Sequence, residues 1–245
     1  MRYITKLFLI SILFSPVFAW TQDISNFNQG FYQVNLSDYA TRIDLEEQYL
    51  NKLDLKTIPY LYGEWKKGSI KIVINDKASM QAVNINIDAQ KNRVLATVIN
   101  NEIFAVPLKY LDSIFVNVNE NQTDIYVTNP KNKVEGGKKE EPLLYQIVYS
   151  GENILLKRTT KVFREAASDT NYGNGLKQNE YQTSVRYFAW SASQKNYLKV
   201  NLNFKSLEKI FPEKKKDISK MKNDPTLDLT KEEVFVETLA SIENE

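Results

Sequence analysis

Two short motifs place reactive residues at spacings that enzymes use. Ser206 and Lys209 have the Ser-x-x-Lys spacing with which penicillin-binding enzymes activate a serine nucleophile. The accompanying Lys-Thr-Gly element is absent, and residues 168–170 read Ser-Asp-Thr instead of Ser-Asp-Asn. Gly173 and Gly175 have the spacing of the first two glycines in a dinucleotide-binding loop, but the third glycine of that motif is missing. We therefore expect an exposed helical turn at Ser206 and an ordinary turn-rich loop at Gly173.

Oxygen atoms would have to supply any metal site, because the chain contains no histidine and no cysteine. Asn117, Asn119, Asn121 and Asp124 offer such oxygens within a short stretch. The calcium loop of an EF-hand needs a glycine at its sixth position and an acidic residue at its twelfth, and this stretch has neither. We interpret it as the polar face of a strand, and we predict no metal ligand and no cofactor.

Adjacent carboxylates are the remaining candidates for acid–base chemistry. A glycosidase needs two acids that face each other across a cleft. The paired acids at 46–47, 140–141 and 232–233 are sequence neighbours, whose side chains diverge on a helix or a strand. The missing histidine and cysteine exclude His-based triads, cysteine nucleophiles, structural zinc, iron–sulfur clusters and haem with its usual ligands. The sequence therefore predicts no catalytic residue, and a hydrolase would depend on acids that folding brings together.

Residues 1–19 have the features of a secretory signal peptide. Arg2 and Lys6 precede an apolar run from Leu7 to Phe14, and Ala19 offers a suitable cleavage point. The run is too short to span a bilayer. We expect a mature chain that carries no transmembrane span and lies in the periplasm, with an extracellular location as the alternative. Because the chain has no cysteine, we expect no lipoprotein anchor.

Charge and length limit the class of partner and the organisation of the chain. Loss of Arg2 and Lys6 would reduce the 32 basic residues to 30, equal to the 30 acidic ones. Such a chain lacks the broad basic surface that nucleic acid requires, so we expect no nucleic-acid partner. The pattern predicts a signal peptide (1–19), a lead-in with a short helix (20–58), a β domain (59–203) and a helical segment packed on the sheet (204–245).

Alternating apolar and polar residues dominate the predicted β domain. Val83, Ile85 and Ile87 alternate with asparagines, which is typical of a strand with one wet face. The pair at 100–101 is Asn-Asn, and asparagine tolerates the positive φ of a tight hairpin turn. The pattern predicts a mainly β fold, with one extended or curved sheet formed by an antiparallel meander. The predicted strands are Ser69–Ile74, Ala82–Ile87, Arg93–Ile99, Glu102–Pro107, Ser113–Val118, Thr123–Thr128, Leu143–Tyr149, Ile154–Arg158, Tyr181–Trp190 and Tyr197–Asn203. Thr160–Arg164 either extends or follows the strand that begins at Ile154.

Helical spacing replaces alternation at the end of the chain. The apolar residues of 204–211 share one helical stripe, and Pro212 begins a second helix. We expect Thr230 to start a terminal helix, because Glu233 follows at the spacing of a capping box. A shorter helix is expected from Asp44 in the lead-in. The sheet should therefore be closed over by C-terminal α-helices.

Two side-chain groups are candidates for binding. Aromatic faces offer large rigid contact areas for a sugar or a peptide, although aromatic residues in sheets more often pack in the core. The aromatic candidates are Trp65, Tyr145, Tyr149, Tyr187 and Trp190.

The second group is basic. Lys214, Lys215 and Lys216 give the first part of the helical segment a positive surface that could touch an anionic membrane weakly. The alternative is a helix packed on the sheet with a solvated basic face.

Several short segments carry a resemblance to a known family. The chain resembles uncharacterised secreted bacteroidete-type β-rich proteins of unknown function, over most of residues 59–222. The resemblance implies a β-rich envelope protein with a helical tail, and it assigns no catalytic residue. The segments concerned are Pro59-Tyr60-Leu61, Glu64–Gly68, Leu144–Tyr149, Tyr172-Gly173 and Lys205–Lys215.

Together these features favour a non-enzymatic envelope protein that binds a partner or scaffolds an assembly in the periplasm. Two alternatives remain open from the sequence. One is a carrier that holds a lipid or another apolar ligand in a curved sheet, and the other is a carboxylate-dependent glycan hydrolase.

Overall fold

The structure is a computed structural model that describes residues 40–42, 56–97, 102–128, 134, 142–165 and 179–244. Its main element is one sheet of 11 strands. The strands are β1 (Thr41–Arg42), β2 (Lys66–Ile74), β3 (Lys77–Asp88), β4 (Arg93–Thr97), β5 (Ile103–Val106), β6 (Leu111–Asn119), β7 (Gln122–Val127), β8 (Tyr145–Ser150), β9 (Ile154–Arg164), β10 (Glu180–Ser191) and β11 (Asn196–Val200).

The strand order is β1-β5-β4-β3-β2-β6-β7-β8-β9-β10-β11, and every neighbouring pair is antiparallel. From β2 to β5, and again from β6 to β11, consecutive strands are neighbours, as in a meander. The two runs join where β6 pairs with β2. The order does not close on itself, since β1 and β11 are its two ends. The predicted mainly β, antiparallel meander is confirmed.

Local sequence explains the turns and the close strand contacts. Asn75 and Asp76 have φ values of 50° and 61°, which suits the two-residue turn that joins Ile74 to Lys77. In β2, a Cβ on Gly68 would lie 2.1 Å from the carbonyl oxygen of Phe115. Only glycine lets β2 and β6 approach this closely.

The sheet bends strongly across its strands. The backbone N–H of Lys161 in β9 donates to the carbonyl of Ala89, in the turn after β3, at 3.2 Å. The N–H of Leu144 donates to the side chain of Asn92 in the same turn at 3.3 Å. Since β2, β6, β7 and β8 separate β3 from β9 in the order, these contacts require a curved sheet.

One face of the curved sheet, which we call the core face, carries most of the buried residues. A single row of directly paired residues crosses it from β2 to β11: Ile70, Ile114, Tyr126, Gln146, Lys157, Tyr187 and Val200. The row is apolar at both ends and polar in the middle. An apolar cluster lies at each end, and the opposite side of the sheet is called the reverse face below.

The first apolar cluster fills the core face between β2 and β7. It includes Ile70, Ile85, Val94 and Ile114, each fully buried, and it receives Leu61 from the segment before β2. On the reverse face, a smaller group around Ile58, Tyr60 and Leu95 packs against Trp65. Alternate residues of β4 thus face two different clusters, since Val94 belongs to the first and Leu95 to the second, as the period-two pattern requires.

Three helices cover the other end of the core face: α1 (Phe204–Ile210), α2 (Lys215–Met221) and α3 (Glu232–Asn244). The Asn203 side chain caps α1 by accepting from the Ser206 N–H at 3.0 Å. Pro212 opens a single 3-10 turn that leads into α2. Leu207, Ile218 and Phe235 bury their side chains against Leu155 and its neighbours in the sheet. The predicted C-terminal α-helices are confirmed.

One helix boundary was predicted wrongly. The expected start of the terminal helix at Thr230 is two residues too early, since α3 begins at Glu232. Asp228 is the reason, because its carboxylate accepts from both the N–H and the hydroxyl of Thr230, at 3.2 and 2.6 Å. This local turn uses the groups that a capping box would need.

One strand is longer than the sequence pattern predicted, since β3 begins at Lys77 instead of Ala82. Of the two alternatives for Thr160–Arg164, the structure has the extension, because β9 runs unbroken from Ile154 to Arg164. β1 comes from the predicted lead-in and pairs with β5. The predicted signal peptide, the helix from Asp44, the Asn-Asn turn at 100–101 and the loop at 166–178 lie outside the described residues.

No helix in the described ranges is both long enough and apolar enough to cross a bilayer.

Candidate functional site

The most exposed apolar side chains lie on one part of the β9–β10 ribbon. We call the paired segments Arg158–Arg164 and Glu180–Arg186 the ribbon tip. Within it Val162, Phe163 and Val185 are 58%, 41% and 42% exposed. They are three of the five large apolar side chains that are exposed in the part of the chain that the structure describes. Such a cluster is typical of a contact surface.

The tip lies beyond the last described pairs of the neighbouring strands. β8 pairs with β9 only up to Lys157, and β11 pairs with β10 only from Tyr187 onward. Among the described residues, β9 is the one strand that pairs with β10 in the tip.

Backbone alternation identifies the residues of β10 that turn away from β9. The N–H of Tyr181 donates to the carbonyl of Lys56 at 2.6 Å, so Tyr181 turns its backbone groups away from β9. In an antiparallel pair this direction repeats every second residue. Thr183 and Val185 therefore point their N–H and C=O groups to the same side, and both residues are exposed.

The two faces of the tip have different chemistry. On the core-face side, Phe163 and Tyr181 pair with their ring centroids 5.2 Å apart, and Val185 lies four residues along the strand from Tyr181. On the reverse side, Arg158 stands opposite Arg186. At the far end of the tip, Arg164 stands opposite Glu180.

Lys161 fixes the base of the tip to the rest of the fold. Its side chain is buried, and its ammonium group donates to the carbonyls of Ile58 and Tyr60 at 3.1 and 2.6 Å. A buried cation needs such acceptors. The segment before β2 is thereby held against β9.

A polar network occupies the middle of the core face. The Tyr62 hydroxyl donates to Asp124 at 2.8 Å and lies 2.8 Å from the Tyr126 hydroxyl. Burial raises the pKa of both tyrosines well above the usual range. Both hydroxyls are thus protonated at neutral pH, and they act as hydrogen-bond donors rather than as bases.

Glu232 extends this network to the start of α3. Its carboxylate accepts from the Tyr187 hydroxyl at 2.6 Å and from the Lys157 ammonium at 3.0 Å. Burial, and then the hydrogen bond to Glu232, raise the pKa of Tyr187. The neighbouring Glu233 is exposed, so the predicted divergence of this acid pair holds in the fold. Glu232 joins helix to sheet.

A second carboxylate holds the other end of α3. Glu243 accepts from the Asn153 N–H at 2.6 Å, from the Asn153 side chain at 3.0 Å and from the Tyr149 hydroxyl. Desolvation, followed by the hydrogen bond and charge of Glu243, raises the pKa of Tyr149 to about 12. Gly151 makes room, because a Cβ there would lie 2.1 Å from a Glu243 carboxylate oxygen. We call this group the Glu243 clamp.

The five aromatic residues that the sequence nominated do not share one surface. Tyr149 and Tyr187 lie on the core face beneath the helices. Tyr145 packs edge-on against Phe188 on the reverse face, where Trp190 also contacts Tyr197. Trp65 belongs to the cluster around Leu95 in the other half of the sheet. A ligand-binding role for each stays a prediction, but no single aromatic platform joins all five.

The lysines of the helical segment are placed in two ways. The Lys214 ammonium donates to the carbonyl of Ile242, which ties it to α3. Lys215 and Lys216 are exposed. The apolar side of α2, at Ile218, is buried against the sheet, so a membrane contact here would rest on charge alone.

Residues considered for catalysis and metal binding form hydrogen bonds within the fold. Ser206 is buried, and its hydroxyl accepts from the Asn201 N–H at 3.0 Å, so the expected exposed turn at Ser206 is wrong. Asn117 accepts from the hydroxyl of Thr123, and Asn119 from the N–H of Asn121. In the described ranges, no group of three or more acidic side chains could hold a metal ion.

Side chains of the sheet and of the helices pack in two apolar clusters on the described part of the core face. A cavity beside Tyr126, Leu144 and Lys157 has a volume of about 10 Å³. This is about the space that one water molecule needs.

Comparison with protein-family models, with curated proteins and with solved structures gave no match. Functional argument therefore rests on the geometry above. Sequence reasoning missed the tip, Glu232 and Glu243, because each depends on where neighbouring strands and helices end.

Proposed function

We propose that the protein is a non-enzymatic binding or scaffolding component of the cell envelope, that it works in the periplasm, and that its contact surface is the ribbon tip. The observation that carries the proposal is the exposure of Val162, Phe163 and Val185 on the ribbon tip, beyond the last described pairs with β8 and β11. Exposed apolar area costs free energy unless a partner covers it. The signal-peptide pattern at residues 1–19 supports the location.

The interior supports a binding role at the surface over a carrier role. A bound lipid needs a hollow of several hundred cubic ångströms, on the order of 300–1,000 Å³ for ligand pockets in general. On the described core face two apolar clusters bury their own side chains, and the cavity beside Tyr126, at about 10 Å³, is far below that range.

The polar network on the core face supports a structural role over hydrolysis. Asp124 accepts from Tyr62, and Glu232 is ion-paired with Lys157. A general acid must be able to reach its substrate in a cleft. Both carboxylates are instead engaged with neighbouring side chains, and their hydrogen bonds join the segment before β2 and α3 to the sheet.

Site-specific crosslinking in the native host tests the proposal. A photo-crosslinking amino acid at Val162, on the reverse face of the tip, should capture envelope proteins in defined bands. The matched control is the same amino acid at Met80, which is 41% exposed against 58% for Val162 and lies on β3. A substitution of Gln182→Asp, directly opposite Val162 on the reverse face, should remove the bands that Val162 captures, because it places an unpaired charge in the contact.

Two results would contradict the proposal. One is recovery of the monomer alone with several crosslinkers, and the other is equal capture at Met80 and Val162. Circular dichroism and thermal unfolding of each variant show that the fold is intact, so a lost band reports the contact.

A further inference from the structure

Basic residues are concentrated in helices α1 and α2 and in the turn between them. Residues 204–222 contain seven of the chain's 32 basic residues and three of its 30 acidic residues. We propose that the outward side of these two helices binds the surface of an anionic lipid bilayer through charge. This contact lies on a different part of the molecule from the ribbon tip and goes beyond the proposed function.

Helical geometry turns four of the lysines away from the sheet. Leu207 of α1 and Ile218 of α2 are fully buried against the sheet. Two residues along an α-helix correspond to a rotation of about 200°, so the positions two before and two after a buried residue lie on the opposite side of the helix. Four exposed lysines occupy these positions and are called the basic surface below: Lys205 and Lys209 in α1, and Lys216 and Lys220 in α2.

Side-chain contacts join α1 to α2, so that the two pairs of lysines belong to adjoining helices. Glu208 of α1 accepts a hydrogen bond from the hydroxyl of Ser219 in α2 at 3.4 Å. Its carboxylate is also ion-paired with Lys222, directly after α2, and its side chain is only 15% exposed. The charge of Glu208 is therefore matched between the helices instead of reducing the charge of the basic surface.

The basic surface keeps a net positive charge. Asp217 is ion-paired with Lys220 at 2.7 Å, which leaves Lys205, Lys209 and Lys216 without an acidic partner among the described residues. The third acid of this segment, Glu213, is exposed in the 3-10 turn between the helices.

Exposed acids of α3 lie towards its start. Glu233 and Glu237 are both exposed. The Lys214 ammonium contacts α3 at the carbonyl of Ile242, near the other end of the helix. At 1.5 Å per residue, Glu237 and Glu233 lie about 8 Å and about 14 Å along the helix axis from that contact. We therefore confine the basic surface to α1 and α2.

The residue type favours a bilayer over a single bound anion. Residues 204–222 contain lysine but no arginine. Arginine holds one phosphate or carboxylate with two parallel hydrogen bonds, whereas lysine acts as a compact point charge. Several point charges across two helices suit a surface of many mobile anionic headgroups. Because Leu207 and Ile218 are buried against the sheet, the contact depends on charge and not on insertion of the helices into the acyl region.

Vesicle flotation of the chain, as its host exports it, tests the contact. The protein should float with vesicles that mix phosphatidylcholine and anionic phosphatidylglycerol, and it should not float with phosphatidylcholine alone. Raising sodium chloride from about 0.1 M to about 1 M shortens the screening length from about 10 Å to about 3 Å. Flotation with the anionic vesicles should therefore decrease steeply over that range.

Paired variants locate the contact on the basic surface. Lys209→Gln combined with Lys216→Gln removes one charge from each helix. This double variant should bind the anionic vesicles at least about tenfold more weakly at about 0.1 M salt, since each lysine near such a surface contributes about fivefold.

The matched control removes the same amount of charge from the other half of the sheet. Lys67 in β2 and Lys91 in the turn after β3 are also exposed. Lys67→Gln combined with Lys91→Gln should change binding by less than about twofold, because charges beyond the screening length of the membrane contribute little. Thermal unfolding should be nearly unchanged in both double variants, since all four side chains are exposed.

Four results would overturn the inference. They are equal flotation with both kinds of vesicle, flotation that salt does not reduce, equal losses in the two double variants, and competition by inorganic phosphate beyond that of sodium chloride at equal ionic strength. The last result would indicate a discrete phosphate site. Crosslinking at Val162 tests the proposed function separately, so capture of a protein there without vesicle binding would keep the function and remove the membrane contact.

Discussion

The two ends of the β9–β10 ribbon differ in almost every physical property, although the same two strands form both. We call the paired segments Ile154–Lys157 and Tyr187–Trp190 the ribbon root. In the root, Leu155 and Ala189 are fully buried beneath the helices. Leu156 and Phe188 are buried on the reverse face as well. At the tip, every residue of β10 from Gln182 to Arg186 is exposed. The root belongs to the core and the tip to the surface.

The boundary between root and tip coincides with the ends of neighbouring elements. β8 stops pairing at Lys157 and β11 at Tyr187, which face each other across β9 and β10. The carboxylate of Glu232 binds both side chains at this same point. Helix α3 therefore begins where the supported part of the ribbon ends. Packing of β8, β11 and α3 against the root, rather than the sequence of β9 and β10 alone, therefore decides which part of the ribbon is exposed for binding.

The largest expected effect is loss of a buried side chain in the root. Leu155→Ala should lower the free energy of unfolding by about 2–5 kcal/mol, through lost apolar burial and the cavity left behind. Val185→Ala in the tip removes side-chain atoms as well, yet its effect should stay within about 0.5 kcal/mol, because the residue is exposed. Urea unfolding of the two variants at low protein concentration measures both.

Equal losses in these two variants would break the comparison between root and tip. They would mean that the tip is packed against something in solution. The protein concentration must be low, because contacts between copies of the chain would stabilise the fold by mass action and enlarge the measured effect of Val185→Ala on unfolding.

A smaller effect is expected from the Glu243 clamp, which fixes α3 over the root. Glu243→Ala leaves the Asn153 N–H without its acceptor, so stability should fall by about 1–3 kcal/mol. Gly151→Ala should also destabilise the fold, because its Cβ would meet Glu243 and the Tyr149 hydroxyl. Thermal unfolding with circular dichroism detects both losses.

The double variant is the control for this mechanism. With Glu243 truncated, the added methyl group at Gly151 has space, so the double variant should be less destabilised than the sum of the two singles. Additive losses would show that the Tyr149 hydroxyl, which a Cβ at position 151 would approach to 2.7 Å, limits the space there instead of Glu243.

Alkaline pH should loosen the same clamp. The pKa of Tyr149 rises from 10.0 to about 12 in the fold, so the unfolded chain loses this proton first. Its contribution to stability is therefore complete below pH 10 and is lost as the pH rises towards 12. The difference in unfolding free energy between the unaltered chain and Tyr149→Phe should shrink over that range. A constant difference would show that the hydroxyl does not titrate with folding.

Sequence alone predicted the parts of the fold that depend on local pattern. Alternation at Val83, Ile85 and Ile87 placed these residues on the buried face of β3, as observed. The alternating pattern is weaker in the part of β9 that extends beyond its pairing with β8. Thr160 to Arg164 carries little apolar alternation, yet it continues β9, because β10 pairs with it along its full length.

Long-range contacts explain what the sequence missed at the candidate site. Glu232 and Glu243 look like ordinary helix-surface acids, and their roles arise from residues 75 and 90 positions away, Lys157 and Asn153. The binding role predicted for Trp190, which stays a prediction, rests on its being aromatic and lying in a strand. Its ring packs on Tyr197, 5.3 Å away between centroids, which is the common use of such residues in sheets.

The smallest expected effect on stability belongs to Val162, whose side chain is 58% exposed at the tip. Val162→Thr keeps the β-branched shape that strands favour and replaces one methyl group with a hydroxyl in water, so unfolding should change by less than about 0.5 kcal/mol. The same change should weaken capture of an envelope partner, since the lost methyl group would belong to the contact. Stability measured by urea unfolding and binding measured by crosslinking at a neighbouring tip position would then move independently. A Val162→Thr variant that unfolds easily would place this side chain within the structural part of the ribbon and move the boundary with the root outward along β9.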